Sequence, residues 1–151
     1  KRLRELLSII HGEGVRQPLI FYRLRSTRDC IAAALRESGV EFVEVSGASH
    51  PSREELSSAK AVVIQYAAGS EGIEFPCSNT SVFYENQYSY ASLVQAQGRN
   101  VRRGYDHRVD HYYFVADVGF DKAVFDLLRQ RKGNIEGILE SISKQTLGTV
   151  N

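Results

Sequence analysis

Short apolar runs alternate with segments of helical periodicity along this chain, and this alternation constrains the fold more than any other feature. The most apolar run, Ala61 to Tyr66, has the length and composition of a strand that is buried on both faces. Similar runs predict strands at 19–22, 42–45, 80–84 and 111–115. Strands that alternate with helices at this spacing predict an α/β fold, doubly wound, with a mainly parallel sheet and helices on both faces.

The helical segments have recognisable ends. An i, i+3, i+4, i+7 pattern predicts an amphipathic helix over the first dozen residues, stopped by glycines. Ser26 or Thr27 is expected to cap the next helix, which ends at Gly39, and Ser52 is expected to begin a short one. Further helices are predicted at 89–99, 121–131 and after Asn134. We expect one domain over 1–151, with 1–14 as an entry helix or linker and 132–151 as a C-terminal helix and tail.

Composition and charge bear on whether the chain binds nucleic acid or metal ions. The formal net charge of the 151 residues is +1, so binding to nucleic acid would depend on local clusters of basic residues. The two cysteines have no spacing typical of a disulfide framework or a zinc site, and Cys30, in an apolar helical run, is expected to be a buried thiol. His107 and His111 lead into a strand, where residues four apart lie about 13 Å from each other, too far to share an ion. We therefore predict no metal site.

Targeting signals are also lacking. No apolar run approaches the roughly 20 residues of a membrane span, and no secretory signal opens the chain. These observations predict a cytoplasmic protein without membrane partners. The sequence contains no Met, even at position 1, which is typical of a fragment of a longer polypeptide.

The decapeptide from Gln95 to Gly104 carries the strongest chemical signal. It places Arg99 and Arg102 three residues apart, on one face of a predicted helix. Guanidinium groups bind phosphoryl oxygens with a planar fork that lysine lacks, and two such forks suit a site for a transferring phosphate. Alone, the cluster is equally consistent with a solvated basic helix.

Two other segments belong to the same predicted region. Residues 67–74 follow the buried strand, and Gly69 and Gly72 let the backbone turn and approach a ligand. Ligands of parallel sheets bind beyond the carboxyl ends of strands, so we expect this loop and the two arginines to lie close together at that edge, with the arginines facing solvent. An isolated G-x-x-G is more often a tight connection. Arg23 and Arg25 follow the first strand and either contact a phosphate backbone or begin a solvated helix.

Three motifs together resemble the superfamily 2 helicases and translocases. The spacing Q-x-x-G-R-x-x-R resembles motif VI of that group, residues 67–74 resemble motif V, and Pro18 to Tyr22 resembles motif IV. The order and the separations match, and the resemblance covers roughly Gln17 to Arg131. It is closest to the C-terminal RecA-like domain of Swi/Snf-type and phage-type members, in which Gln opens motif VI.

The resemblance implies specific roles for these residues. Arg99 and Arg102 would be catalytic and face the γ-phosphate of ATP, with Arg102 as the arginine finger. The residues implied in nucleotide binding are Gln95, Gly72 and Glu74, although Glu replaces the Asp or Asn that is common at position 74. The residues implied in nucleic-acid binding are Gly69, Ser70, Arg23 and Arg25.

The resemblance also implies what holds the cofactors. Neither G-x-x-x-x-G-K-[ST] nor a D-E-x-H-like pair occurs in this sequence. ATP and Mg²⁺ would therefore be held mainly by an N-terminal RecA-like domain of the same polypeptide, and the isolated chain would be inactive. The partners implied are that domain and DNA or RNA. A stand-alone α/β module that binds a phosphate or a protein is the alternative.

Overall fold

The computed structural model of the chain describes residues 1–71, 73–85, 89–101, 104, 106–115 and 122–131, with the backbone alone at 69–71. The chain divides into two compact units, Lys1–Phe114 and Val115–Asn151. The first unit contains a five-stranded sheet. In the second unit, residues 122–131 form the helix predicted there, with an ion pair of 3.0 Å between Lys122 and Asp126. The helix predicted after Asn134 and the tail at 132–151 lie outside the described residues.

All strand pairs of the sheet are parallel, and the strand order is β2-β3-β1-β4-β5. The elements run in the order α1 (Arg2–Ile10), β1 (Leu19–Tyr22), α2 (Arg25–Glu37), β2 (Phe42–Val45), α3 (Arg53–Ser58), β3 (Ala61–Gln65), a 3-10 helix (Tyr66–Glu71), β4 (Thr80–Phe83), α4 (Tyr90–Gln97) and β5 (Asp110–Tyr113). The prediction of a doubly wound parallel sheet is confirmed. Each of the five apolar runs contains a strand.

The direction of each crossover decides which face a helix covers. The chain moves one way across the sheet from β1 to β2, and the opposite way from β2 to β3 and from β4 to β5. Because such crossovers are right-handed, α2 covers one face while α3 and α4 cover the other. The core on the α2 face includes buried side chains from β1, β3 and β4 together with α1 and α2: Leu6, Ile20, Tyr22, Ile31, Leu35, Val63, Val82 and Tyr84. Since Leu6 is fully buried, α1 is packed as part of this core.

A row of aromatic rings crosses the opposite face near the carboxyl ends of the strands. The ring of Phe21 stacks on Tyr66 at 5.6 Å and on Phe83 at 5.1 Å, and Phe83 stacks on Tyr113 at 4.8 Å between centroids. Gln97 at the end of α4 donates a hydrogen bond of 2.6 Å to the Tyr113 hydroxyl. The row therefore gives α4 a rigid support.

The N-termini of helices α2 and α3 are capped in different ways. Ser52 caps α3 in a capping box with Glu55, as the sequence predicted. The prediction for α2 is wrong, because this helix begins at Arg25, ahead of Ser26 and Thr27, and its N-cap Leu24 has no capping side chain. The carboxylate of Glu85, just beyond β4, accepts the backbone N–H groups of Arg23 at 2.6 Å and Leu24 at 2.9 Å instead.

Two further expectations need correction. The helix predicted at 89–99 ends at Gln97, so Arg99 lies beyond it and shares no helix face with a residue three positions later. Cys30, which the apolar neighbours Ile31 and Ala32 suggested would be a buried thiol, is exposed because it lies on the outer side of α2. The stop of α2 at Gly39 is confirmed by its left-handed φ of +74°.

Candidate functional site

The segment that follows α4 returns to the amino ends of the strands. An eight-residue helix spans about 12 Å, close to the length of a four-residue strand, and α4 runs back along the sheet after β4. Asn100 thereby reaches Ser81, which pairs with Leu19, the first residue of β1. The prediction that Arg99 lies at the carboxyl edge of the sheet is therefore wrong. It lies on the α4 face, toward the amino edge.

Arg99 is buried and ties two distant segments together. Only 8% of its surface is exposed, and its Nη1 donates a hydrogen bond of 2.9 Å to the carbonyl of Ile73. In return, the backbone N–H of Phe75 donates to the Arg99 carbonyl at 2.8 Å. The expectation that the 67–74 segment meets the arginine segment is confirmed. The expectation that Arg99 faces solvent is wrong, because the chain turns toward the sheet after Gly98.

The charge of Arg99 is held in a partly desolvated place. Burial lowers the pKa of Arg99, while the negative charge of nearby Glu74 acts in the opposite direction. A guanidinium remains protonated at any physiological pH. The segment therefore carries a permanent cation close to the carboxylate of Glu74, at the junction of the two segments.

A buried amide fixes the next residue of this segment. Asn100 is fully buried, and its Nδ2 donates to the hydroxyls of Ser78 and Ser81 at 3.0 Å each. The Ser78 hydroxyl donates to the Thr80 carbonyl at 3.3 Å, so it accepts from Asn100, and this settles the orientation of the amide. On the other side, Nε2 of His107 lies 2.9 Å from the Ser78 carbonyl. Ser78 therefore contacts the chain on both sides of positions 101–106.

A cavity of about 540 Å³ lies beside the loop that Arg99 holds. It is lined by side chains from this loop, from α3 and from the residue before Pro18, among them Gln17, Arg53, Leu56, Glu74, Phe75 and Cys77. Glu74 is half-buried, and Gln95 is exposed on α4. Gly72 and Arg102, the other two residues predicted at the nucleotide, lie outside the described residues.

The residues predicted to bind nucleic acid lie at the opposite, carboxyl edge of the sheet. Arg25 is exposed as the first residue of α2, and Arg23 is half-buried next to the Glu85 carboxylate. Gly69 and Ser70 belong to the 3-10 helix Tyr66–Glu71, which begins where β3 ends. Because strands of a parallel sheet end at the same edge, these four residues share it.

Arg28, which follows Arg23 and Arg25 along the chain, is paired within the domain. Its Nη1 donates to Oε2 of Glu44 at 3.1 Å, and Oε1 of the same carboxylate accepts a 3.0 Å hydrogen bond from the Tyr22 hydroxyl. Within the described ranges, no group of three or more His, Cys, Asp or Glu could hold a metal ion, and no helix is long and apolar enough to cross a membrane.

Comparison with known proteins identifies the family. Residues 1–104 match the family of the helicase conserved C-terminal domain, which is more than half of the chain. The chain belongs to this helicase C-terminal family. Domains of this family work with an N-terminal ATPase domain of the same polypeptide.

Individual relatives of this helicase C-terminal domain are distant. The chain is 24% identical over 103 residues to the nucleoside triphosphatase I of Amsacta moorei entomopoxvirus, and equally to that of Choristoneura biennis entomopoxvirus. Each alignment covers 61% of the chain and 16% of the relative, so the chain aligns with only a small part of these curated relatives.

A solved structure supports the fold of the helicase C-terminal domain. The C-terminal part of the Fun30 ATPase domain superposes with a TM-score of 0.73 at 19% identity, covering 83% of this chain and 43% of that one. At this identity the similarity shows the RecA-like fold.

Three residues that organise the helicase C-terminal domain were not found from the sequence. Asn100, Ser78 and Glu85 are each polar residues whose partners are far along the chain. The alternation of β4 places Ser81 on the α4 face, which is a signal for a buried polar contact. Nothing in the sequence pairs it with Asn100, because that pairing depends on where α4 ends.

Proposed function

We propose that this chain is the second RecA-like domain of a nucleic-acid-dependent ATPase that acts as a helicase or translocase. In this function ATP is hydrolysed in the cleft between two RecA-like domains, and Arg102 stabilises the charge that develops on the transferring phosphoryl group. The observation that carries the proposal is the pair of hydrogen bonds that joins the Ile73–Phe75 loop to Arg99. These bonds bring together the two segments with which the family resemblance associates the nucleotide.

The two arginines have different roles in this proposal. Arg99 uses one N–H of its buried fork to hold the Ile73 carbonyl, and its charge contributes to the potential at the nucleotide. Arg102 supplies the arginine finger. A fork with its charge always present is suited to this task, since it delivers two parallel donors to phosphoryl oxygens.

The nucleotide is proposed to contact Gln95, Gly72 and Glu74. The cavity of about 540 Å³ that Glu74 lines is large enough for part of a nucleotide, which supports the assignment of Glu74. ATP and Mg²⁺ are held mainly by the N-terminal domain, because the P-loop and the magnesium-binding carboxylates are features of that domain in the family. Alone, this chain is then inactive.

Nucleic acid is proposed to bind at the carboxyl edge, through Gly69, Ser70, Arg23 and Arg25. The exposure of Arg25 supports a phosphate contact there. The name of the two viral relatives, nucleoside triphosphatase I, supports hydrolysis of a nucleoside triphosphate by the whole polypeptide. Because the two edges are separate, closure of the cleft at the amino edge would move a nucleic-acid strand that is held at the carboxyl edge.

The experiment that tests this function compares residues 1–151 with the natural polypeptide that contains them. We expect nucleic-acid-stimulated release of phosphate from ATP by the natural polypeptide and none above background by residues 1–151. The gene should encode a P-loop and a D-E-x-H-like pair before position 1. Turnover by residues 1–151 alone would contradict the two-domain site, and a natural polypeptide without those segments would favour a stand-alone binding module.

A further inference from the structure

A single residue contacts the chain on both sides of the loop that contains Arg102. The hydroxyl of Ser78 accepts a hydrogen bond of 3.0 Å from Asn100, two residues before Arg102. The carbonyl of the same Ser78 lies 2.9 Å from Nε2 of His107, five residues after it. The two ends of the loop at 101–106 are therefore held at one point of the domain, directly before β4.

The position of Asn100 is not explained by packing alone. The side chain is fully buried, and its Oδ1 has no hydrogen-bond partner among the described residues. A buried acceptor without a partner destabilises a fold, and an apolar side chain of similar volume would avoid that cost. The Asn100 amide donates to two separate hydroxyls, those of Ser78 and Ser81, and these two hydrogen bonds fix the position of the segment on the sheet.

The backbone after the arginines is constrained as well. Gly104 has a φ of +100°, in the left-handed region that residues with a Cβ rarely adopt. The segment between Asn100 and His107 therefore includes one position, Gly104, whose backbone conformation favours glycine. A catalytic guanidinium requires such support, since displacement of a reacting group by about 1 Å is able to lower a rate about 100-fold.

We propose that Asn100 is a positioning residue that, together with Ser78, holds the loop so that Arg102 reaches the transferring phosphoryl group. This inference rests on the proposed function of Arg102. Asn100 itself touches neither nucleotide nor nucleic acid in this mechanism. Its effect is transmitted through the loop.

The test measures ATP turnover by the natural polypeptide with saturating nucleic acid. Asn100→Ala is made alone and together with Arg102→Ala, so that the two substitutions form a double-mutant cycle. Tyr22→Phe is the control, because it removes a hydrogen bond of 3.0 Å to Glu44 on the other face of the sheet. The kcat, the KM for ATP and the thermal midpoint are measured for each variant.

We expect Asn100→Ala to lower kcat by about 10- to 100-fold and to change KM by less than about twofold, since a misplaced finger weakens the transition state alone. In the Arg102→Ala background, Asn100→Ala should lower kcat by less than about twofold, because the guanidinium that Asn100 positions is already absent. Tyr22→Phe should keep the kcat of the wild type. A merely structural role would lower the thermal midpoint without this coupling.

Any of the following results would overturn the inference. One is an Asn100→Ala variant that keeps the kcat of the wild type. Another is a double variant whose loss of kcat equals the product of the separate losses of Asn100→Ala and Arg102→Ala. If Arg102→Ala itself keeps full turnover, the proposed function fails and the inference fails with it. If Asn100→Ala does not fold, Ser81→Ala is measured instead, because it removes one of the two hydrogen bonds that the Asn100 side chain donates. A kcat lowered several-fold supports the positioning role of Asn100, and an unchanged kcat refutes it.

Discussion

At the scale of single residues, Arg99 lies in a place that its spacing in the sequence did not indicate. Arg99 points inward and holds a carbonyl 26 positions earlier, whereas its i+3 relation to Arg102 suggested a shared outer face. That relation holds only within a helix, and α4 ends at Gln97. The spacing pointed to the decapeptide in which Arg99 joins two distant segments. It could not assign orientations, because these depend on where the helix stops and on a carbonyl from another loop.

Arg99→Ala should destabilise the domain. Without the guanidinium, the half-buried Ile73 carbonyl loses its donor, which costs about 1–3 kcal/mol. Urea denaturation of residues 1–151 measures this loss. Arg108→Ala is the control, since its ion pair with Asp110 is exposed and surface pairs contribute about 0–1 kcal/mol. Equal shifts for the two variants would show that Arg99 does not hold the loop.

At the scale of elements, the strands were predictable and the caps were only partly so. Strands such as Ala61–Gln65 are buried along almost their whole length, so hydrophobicity alone reveals them. Ser52 caps its helix with Glu55, three residues away, and such local chemistry is readable. The cap of α2 is Glu85, 61 positions beyond Leu24, and no local pattern records it.

Glu85→Ala should unravel the first turn of α2. The backbone N–H groups of Arg23 and Leu24 would lose their acceptor, at a cost of about 1–2 kcal/mol, as for the loss of other N-caps. Glu85→Gln keeps an oxygen acceptor and should lose less, about 0.3–1 kcal/mol from the missing charge at the helix end. The matched control is Glu41→Ala, at an exposed position. Amide hydrogen exchange at 23–28 together with urea denaturation measures the effect, and unchanged exchange in Glu85→Ala would refute this capping role.

The two glycines that flank the arginines should respond differently to alanine. A Cβ on Gly98 would lie 3.5 Å from the Val94 carbonyl oxygen, an ordinary contact, and its φ of −79° suits any residue. Gly98→Ala should therefore leave stability unchanged or raise it by up to about 1 kcal/mol. Gly104→Ala imposes the φ of +100° on a residue with a Cβ and should cost about 1–2 kcal/mol. Denaturation midpoints that fall equally for both would contradict these backbone conformations.

At the scale of the whole molecule, the domain presents two separated edges. The loop that Arg99 holds lies toward the amino ends of the strands, while Arg25 and the 3-10 helix lie at the carboxyl ends. The sequence predicted one common edge, because it was not evident that α4 and the residues after it return across the sheet. The family fold was readable from the alternation of strands and helices. The position of Arg99 could be found only from the three-dimensional path of the chain.

The central claim is that Arg102 acts as the arginine finger of a site shared by two domains. Turnover and nucleotide affinity of the natural polypeptide with Arg102→Ala, Arg102→Lys and Arg103→Ala test it most directly. We expect Arg102→Ala to lower kcat by about 10³-fold or more without weakening ATP binding, because a finger acts on charge that develops in the transition state. Arg102→Lys should restore little, since an ammonium lacks the forked geometry. Arg103→Ala should be much milder. Equal losses at positions 102 and 103, or full turnover with Arg102→Ala, would contradict the claim.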